Sequence, residues 1–188
     1  LAPALVITAP DAPAGRALRV QPPPAKIWAE ENNIPVFQPE SLKSPDVAER
    51  LRAAGADIFI VAAYGKLIPQ AILDIPPHGT LNVHPSLLPR WRGADPIRAA
   101  ILSGDAMTGV SIMQLDAEMD HGSILAARET ETARKTHGEL EEELAEIGGT
   151  LLADTLAPWL AGTLTAREQE HANATFTKKL APSDTHID

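Results

Sequence analysis

The stretch Leu81-Asn82-Val83-His84-Pro85-Ser86-Leu87-Leu88-Pro89-Arg90-Trp91-Arg92-Gly93 runs from a short extended segment into a proline-bounded turn. If Leu81 to His84 is a strand, Asn82 and His84 are two positions apart and leave the same face. Pro85 has no amide hydrogen to give to a ladder, so pairing ends there. Both polar side chains then point into the crevice beyond the strand's carboxyl end, where open α/β sheets bind ligands. Met119-Asp120-His121-Gly122, with Asp120 placed 36 positions after His84, adds a carboxylate to this pair.

Outward from this stretch, strands and helices alternate. Leu5 to Thr8 reads as a strand, Ala9 to Pro24 as a loop rich in Pro and Gly, and Pro24 as the start of a helix through Asn33. Ile34 to Phe37 is extended again. Ser44-Pro45 opens a second helix to Ala54, with Ser44 as N-cap and Gly55 as stop. Asp57 to Ala62 is a buried strand, Pro69 to Leu73 a short helix, and Thr80 to His84 the strand quoted above. Asp95-Pro96 starts a helix to Leu102, Gly109 to Leu115 and Ser123 to Thr130 are strands, and a last helix covers Gly138 to Leu160. Gly148-Gly149 and Pro158 are its weak points, and a polar tail follows from Ala172. This rhythm predicts an α/β fold with a mostly parallel, twisted open sheet and helices on both faces. Doubly wound folds set their first strand near the sheet centre, so a βα unit is expected ahead of Leu5 and is missing from the chain.

Size and composition limit the functions available. A chain of 188 residues, 44% of them hydrophobic, suffices for one domain with an ordinary core. The longest wholly apolar run, the six residues Ile58 to Ala63, is far short of the roughly 20 that cross a bilayer. The apolar first ten residues lack the basic start and cleavage pattern of a signal peptide. With no cysteine, disulfides, thiolate metal sites and a thiol nucleophile are excluded, and a cytoplasmic setting is expected. A net charge of -9 argues against a protein that simply coats nucleic acid, while leaving room for a local basic patch. His78, His121, His137, His171 and His186 show no ligand-like spacing, so no metal is expected.

Asn82, His84 and Asp120 suit acyl transfer. An amide N–H and an imidazolium can stabilise a tetrahedral oxyanion, and a carboxylate beside the imidazole orients it and favours its charged form. Spacing alone leaves a second possibility equally open, in which Asn82 caps a turn, His84 is a satisfied core residue and Asp120 forms a turn before Gly122.

Several separated segments in order carry a resemblance. Asn82 to Pro89, Arg90-Trp91-Arg92-Gly93-Ala94-Asp95-Pro96-Ile97, Thr108-Gly109-Val110-Ser111-Ile112-Met113-Gln114-Leu115-Asp116 and Met119 to Gly122 closely resemble the folate-dependent formyltransferases. The resemblance implies a Rossmann-like formyltransferase fold, with Asn82, His84 and Asp120 as the catalytic set. It also implies that Ser86, Leu87, Leu88 and Pro89 lie against the folate, with Leu87, Leu88 and Val110 walling a pterin pocket, although Leu87 and Leu88 also suit ordinary core. The formyl donor would be 10-formyltetrahydrofolate, with no metal.

Asp11-Ala12-Pro13-Ala14-Gly15-Arg16 resembles a loop that, in the branch of the family acting on methionyl initiator tRNA, reaches toward the acceptor end. On that resemblance Arg16, with Arg19 and Lys26, is the tRNA contact, on a protein acting as a monomer. The chain departs from the pattern near Asp11, in Ala17-Leu18-Arg19, where a more basic run is expected, and at Asp95, where alanine is expected. Arg90, Trp91 and Arg92 either meet the acceptor or pin the loop, with Trp91 more a packing residue than a base-stacking one. Residues 172–188 are expected to begin a linker to a C-terminal β-barrel domain that the chain lacks. Glycinamide ribonucleotide or an amino sugar is the alternative acceptor, a hydrolase releasing formate is a further relative, and an inactive folate-binding fragment is the reading from another class.

Overall fold

The computed structural model describes residues 2–14 and 18–178. They form two compact units, one within residues 2–59 and 66–79, the other within residues 60–65 and 80–178.

In the first unit β1 (Val6–Ile7) and β4 (Val36–Phe37) pair in parallel, joined through α1 (Pro24–Glu31), which packs on both. Pro24 starts α1 at the position where a missing N–H costs nothing, and Ala29 is the residue it buries completely. Between β1 and α1, the segment expected as a loop forms a hairpin. β2 (Ala12–Ala14) and β3 (Arg19–Gln21) are antiparallel, with Ala14 opposite Arg19. All of β3 is exposed, so no buried face marks it in the sequence. α2 (Pro45–Ala53) buries Val47 and Leu51 and packs against α3 (Gln70–Leu73), which buries Ile72 and Leu73. Ser44 occupies the N-cap position of α2 as expected, without the side-chain hydrogen bond that residue type offers.

The second unit is built on a four-stranded sheet. β5 (Phe59–Ala62) enters it with its last three residues, β6 (Thr80–His84) follows, and beyond them come β8 (Met107–Gln114) and β9 (Ile124–Glu131), in the order β5-β6-β8-β9. β7 (Arg92–Gly93) and α4 (Pro96–Leu102) lie in the connection between β6 and β8. β6 pairs antiparallel with β8, and β8 with β9, so the sheet is mixed. The expected α/β class holds, and the parallel pairing expected within it gives way between β8 and β9, where too few residues intervene for a crossover, which takes a dozen or more. The long α5 (His137–Leu160) packs against β6, β8, β9 and α4.

α5 begins with a capping box that the sequence reading passes over. The Thr136 hydroxyl accepts from the Glu139 amide, and the Glu139 carboxylate accepts from the Thr136 amide. The helix runs unbroken through Gly148, because a Cβ there would lie 2.8 Å from Val83 Cγ1. The glycine lets the helix approach the sheet. Leu81, Val110, Ile112, Leu140 and Leu144 form the dry layer between helix and sheet, each at most 2% exposed. Of the segment expected as a polar tail from Ala172, the described residues 172–178 return to the fold. A single 3-10 turn (His171–Asn173) leads to β10 (Phe176–Thr177), which pairs in parallel with β7.

Candidate active site

β6 fixes which side chains share a face. Val83 reaches Gly148 on α5 and is paired with Ile112, so Asn82 and His84 point from the opposite face. Val110 shares the α5 face with Val83 and is fully buried there. It belongs to the core, contrary to the expectation that it walls a ligand pocket, because alternation along β8 assigns it the parity of Ile112.

Beyond His84 the chain turns through Pro85 to Trp91, and β8 holds that turn from beneath. The Ser111 hydroxyl donates to the Ser86 carbonyl at 2.8 Å and accepts from the Leu88 amide at 3.1 Å. Ser86 donates its own hydroxyl to the Arg90 carbonyl at 2.6 Å. Of the four residues expected against folate, Ser86 and Leu88 are buried with these polar groups committed inside the turn, while Leu87 and Pro89 are half-buried. Gly109 keeps the turn close, since a Cβ there would meet Leu87 Cδ2 and the Arg128 carbonyl.

His84 is 4% exposed. Its Nε2 lies 3.0 Å from the Trp91 carbonyl, an oxygen that can only accept, so Nε2 carries the proton. Nδ1 faces the Asp120 carboxylate, with Oδ1 at 3.7 Å. The other Asp120 oxygen accepts from the Gly93 amide at 2.8 Å. Burial holds the imidazole below its ordinary pKa, against the Asp120 charge and the Trp91 hydrogen bond, which both raise it. The carboxylate does favour the charged form, as expected, and the net direction is set by burial. Desolvation of the imidazolium outweighs a carboxylate at 3.7 Å. Asn82 is half-buried, and its carboxamide makes no hydrogen bond to another described residue.

The structure thus joins His84 to Asp120 and sets Asn82 on the same strand face. Sequence reasoning missed the groups that hold them: the Trp91 carbonyl, the Gly93 amide, Ser111 and, from far along the chain, Gln169. Asp120 and Trp91 both adopt left-handed backbone, with φ 48° and 59°, a conformation non-glycine residues rarely take. Gly122 sits where a Cβ would run into the Gln114 carbonyl, and of this close approach the sequence offers only the glycine itself.

Arg90, Trp91 and Arg92 pin the loop. Arg90 forms a forked pair with Asp105 at 2.8 and 2.5 Å, and Trp91 Nε1 donates to the same carboxylate at 2.7 Å. The Arg90 guanidinium holds Asp105 below its usual carboxylate range. Arg92 is buried and donates to Gln169. Asp95 pairs with Arg98 at 2.7 Å, which accounts for an acidic residue at that position. Among the described residues no group of three or more His, Asp or Glu is arranged to hold a metal ion.

In the first unit, Arg19 is exposed on β3 beside Leu18 and Val20, at 73% and 68% exposure. Lys26 is committed. Its ammonium pairs with Asp11 at 2.8 Å, and Asp11 also accepts from Gln38. Arg16 lies outside the described residues.

The family profile described as formyl transferase matches residues 2–156. This chain belongs to the formyl transferase family. Within it, methionyl-tRNA formyltransferase of Nitrosomonas eutropha is 46% identical over 185 residues, covering 98% of this chain and 58% of that protein. The enzyme of the same name from Chloroflexus aggregans is 47% identical over 184 residues, covering 97% and 60%. The chain therefore spans about three fifths of the length of these curated formyltransferases. Among solved structures, glycinamide ribonucleotide transformylase 1 of Symbiobacterium toebii superposes with a TM-score of 0.71 at 23% identity, over 89% of this chain and 80% of that one. The formyltransferase PseJ of Anoxybacillus kamchatkensis, solved with tetrahydrofolate and a formamido sugar nucleotide, gives 0.64 at 21%, over 92% and 84%. At these identities the two structures establish the shared α/β formyltransferase fold. Among the described residues no helix is long and apolar enough to cross a membrane.

Proposed function

We propose that this chain carries the formyl-transfer site of a methionyl-tRNA formyltransferase, using 10-formyltetrahydrofolate as donor in the cytoplasm and working as a monomer. The observation that carries the reading is the pairing of buried His84 with half-buried Asp120 beside Asn82, in a chain 46–47% identical over nearly its whole length to methionyl-tRNA formyltransferases. The amine of methionyl-tRNA adds to the formyl carbon on N10, and the carbonyl π electrons move onto oxygen. The uncommitted Asn82 carboxamide donates to that oxyanion. His84, neutral with its lone pair on Nδ1, accepts the proton that the attacking nitrogen sheds, and Asp120 stabilises the imidazolium. Collapse of the intermediate expels N10, which takes a proton and leaves as tetrahydrofolate.

Leu87 and Pro89, the half-buried residues of the turn, supply its folate-facing surface, while Ser86 and Leu88 support them from inside. On the acceptor side, Arg16 and Arg19, the latter exposed on β3, contact tRNA phosphates. Lys26, already neutralised by Asp11, contributes less. The test is incubation with 10-formyltetrahydrofolate and, in parallel, methionyl-tRNA, glycinamide ribonucleotide, an amino-sugar nucleotide or no acceptor. Formylated methionyl-tRNA supports the reading. Formylation of another amine, or formate release without an acceptor, replaces it.

A further inference from the structure

Gln169 lies far from His84 in sequence and is 5% exposed. Its backbone is anchored two residues upstream, where Arg167 and Ile124 exchange hydrogen bonds of 2.8 Å in each direction. Its carboxamide uses both ends. Nε2 donates to the Asp120 carbonyl at 3.0 Å and to the Gly122 carbonyl at 2.7 Å. Oε1 accepts from Arg92 Nε at 3.1 Å and Nη2 at 2.6 Å. The same Arg92 Nη2 lies 2.9 Å from His171 Nδ1, and the His171 ring stacks on His121, with centroids 4.1 Å apart and planes within 5°.

These bonds join the two segments on which the pair depends. Arg92 stands between Trp91, whose carbonyl orients His84, and Gly93, whose amide holds the Asp120 carboxylate. The far end of the carboxamide grips the backbone on either side of His121, at the residue whose left-handed φ aims the carboxylate. Left-handed backbone at a non-glycine residue is disfavoured and persists where its surroundings over-determine it. The two amide hydrogens of one carboxamide, on the Asp120 and Gly122 carbonyls, supply that constraint.

We infer that Gln169, braced by Arg92, is a positioning residue that sets the Asp120 carboxylate against His84. The inference rests on the proposed function for its catalytic meaning, and on geometry alone for the placement itself. A carboxylate displaced by about 1 Å costs on the order of 10²-fold in rate.

The test uses isotope-labelled full chain and reads two NMR signals that need no turnover: the titration midpoint of His84 and the amide resonance of Gly93. Asp120→Ala supplies the reference, since it removes the charge that raises the His84 midpoint. Gln169→Met is expected to lower that midpoint toward the Asp120→Ala value, and to lower it no further in the double variant. Gln169→Glu keeps an acceptor for Arg92 but loses the two-donor amide. It is expected to move the Gly93 amide away from its hydrogen-bonded position, and it decides the matter if Gln169→Met fails to fold. An unchanged His84 midpoint in folded Gln169→Met, an unchanged Gly93 amide in Gln169→Glu, or additive shifts in the double variant would overturn the inference. Normal formyl transfer by Asp120→Ala would instead sink the proposed function and leave the NMR outcome standing.

Discussion

The two faces of β6 do different work with the same five residues. Leu81, fully buried, and half-buried Val83 meet α5 across an apolar layer, where fit is a matter of volume. Asn82 and His84, on the other face, lie among turns held by individual hydrogen bonds, with left-handed backbone at Trp91 and Asp120. On the first side the sheet determines stability. On the second it offers a platform whose chemistry is assembled by residues from three further segments.

The sharpest way to separate the faces is to damage one at a time. Leu81→Ala removes a fully buried side chain and should cost about 2–5 kcal/mol in urea unfolding. Formyl transfer per folded molecule should hold, and loss of both together would erase the distinction. His84→Ala should cost on the order of 10²–10⁴ in kcat, equal to about 2.7–5.4 kcal/mol of transition-state stabilisation. Single-turnover formyl transfer measures it, and near-normal turnover would remove the imidazole from the mechanism.

Gly148→Ala tests the dry face more gently. Its new Cβ presses on Val83 Cγ1, so about 1–3 kcal/mol of strain is set against helix propensity that favours alanine by about 1 kcal/mol. A lowered melting temperature is expected, and a raised one would mean that the helix can slide outward without loss.

Acid should act on the polar face. His84 titrates lower when folded than its unfolded value of about 6.5. As pH falls below about 6.5, the unfolded chain binds a proton that the folded chain refuses, so stability drops until the folded value is passed. Melting from pH 7.5 to 5.5 should show a shallower decline in His84→Gln than in the parent chain. Parallel declines would mean that burial does not depress this imidazole. The smallest effect belongs to the surface. Arg19→Ala should leave melting unchanged and reduce the salt dependence of methionyl-tRNA binding by about one phosphate's worth, and an unchanged salt slope would take the hairpin out of the acceptor contact.

The strand Thr80 to His84, the polar parity of Asn82 and His84, the helices begun at Pro24, Pro45 and Pro96, and the sheet segments of β8 and β9 were legible because each is a local consequence of period or of proline chemistry. The β2–β3 hairpin was not, since an exposed ribbon has no buried face to leave a period in the sequence. β10 was hidden for a similar reason: its two residues pair only with β7, more than 80 positions earlier. That burial outweighs the Asp120 charge at His84 was not legible, because a nearby carboxylate is visible in a motif while the extent of burial is not.

What the chain determined by itself is which groups are present and which of them share a strand face, because side-chain alternation is a property of extended backbone alone. The family resemblance travels with those groups. Only the tertiary structure decided that burial outweighs the Asp120 charge at His84, that Asp120 faces its Nδ1, and that Gln169, 49 positions further along the chain, bonds the backbone of the Asp120 turn. Each of these depends on distances between segments remote in sequence, which the packing of β7, β8 and the Asp120 turn fixes and no local pattern encodes.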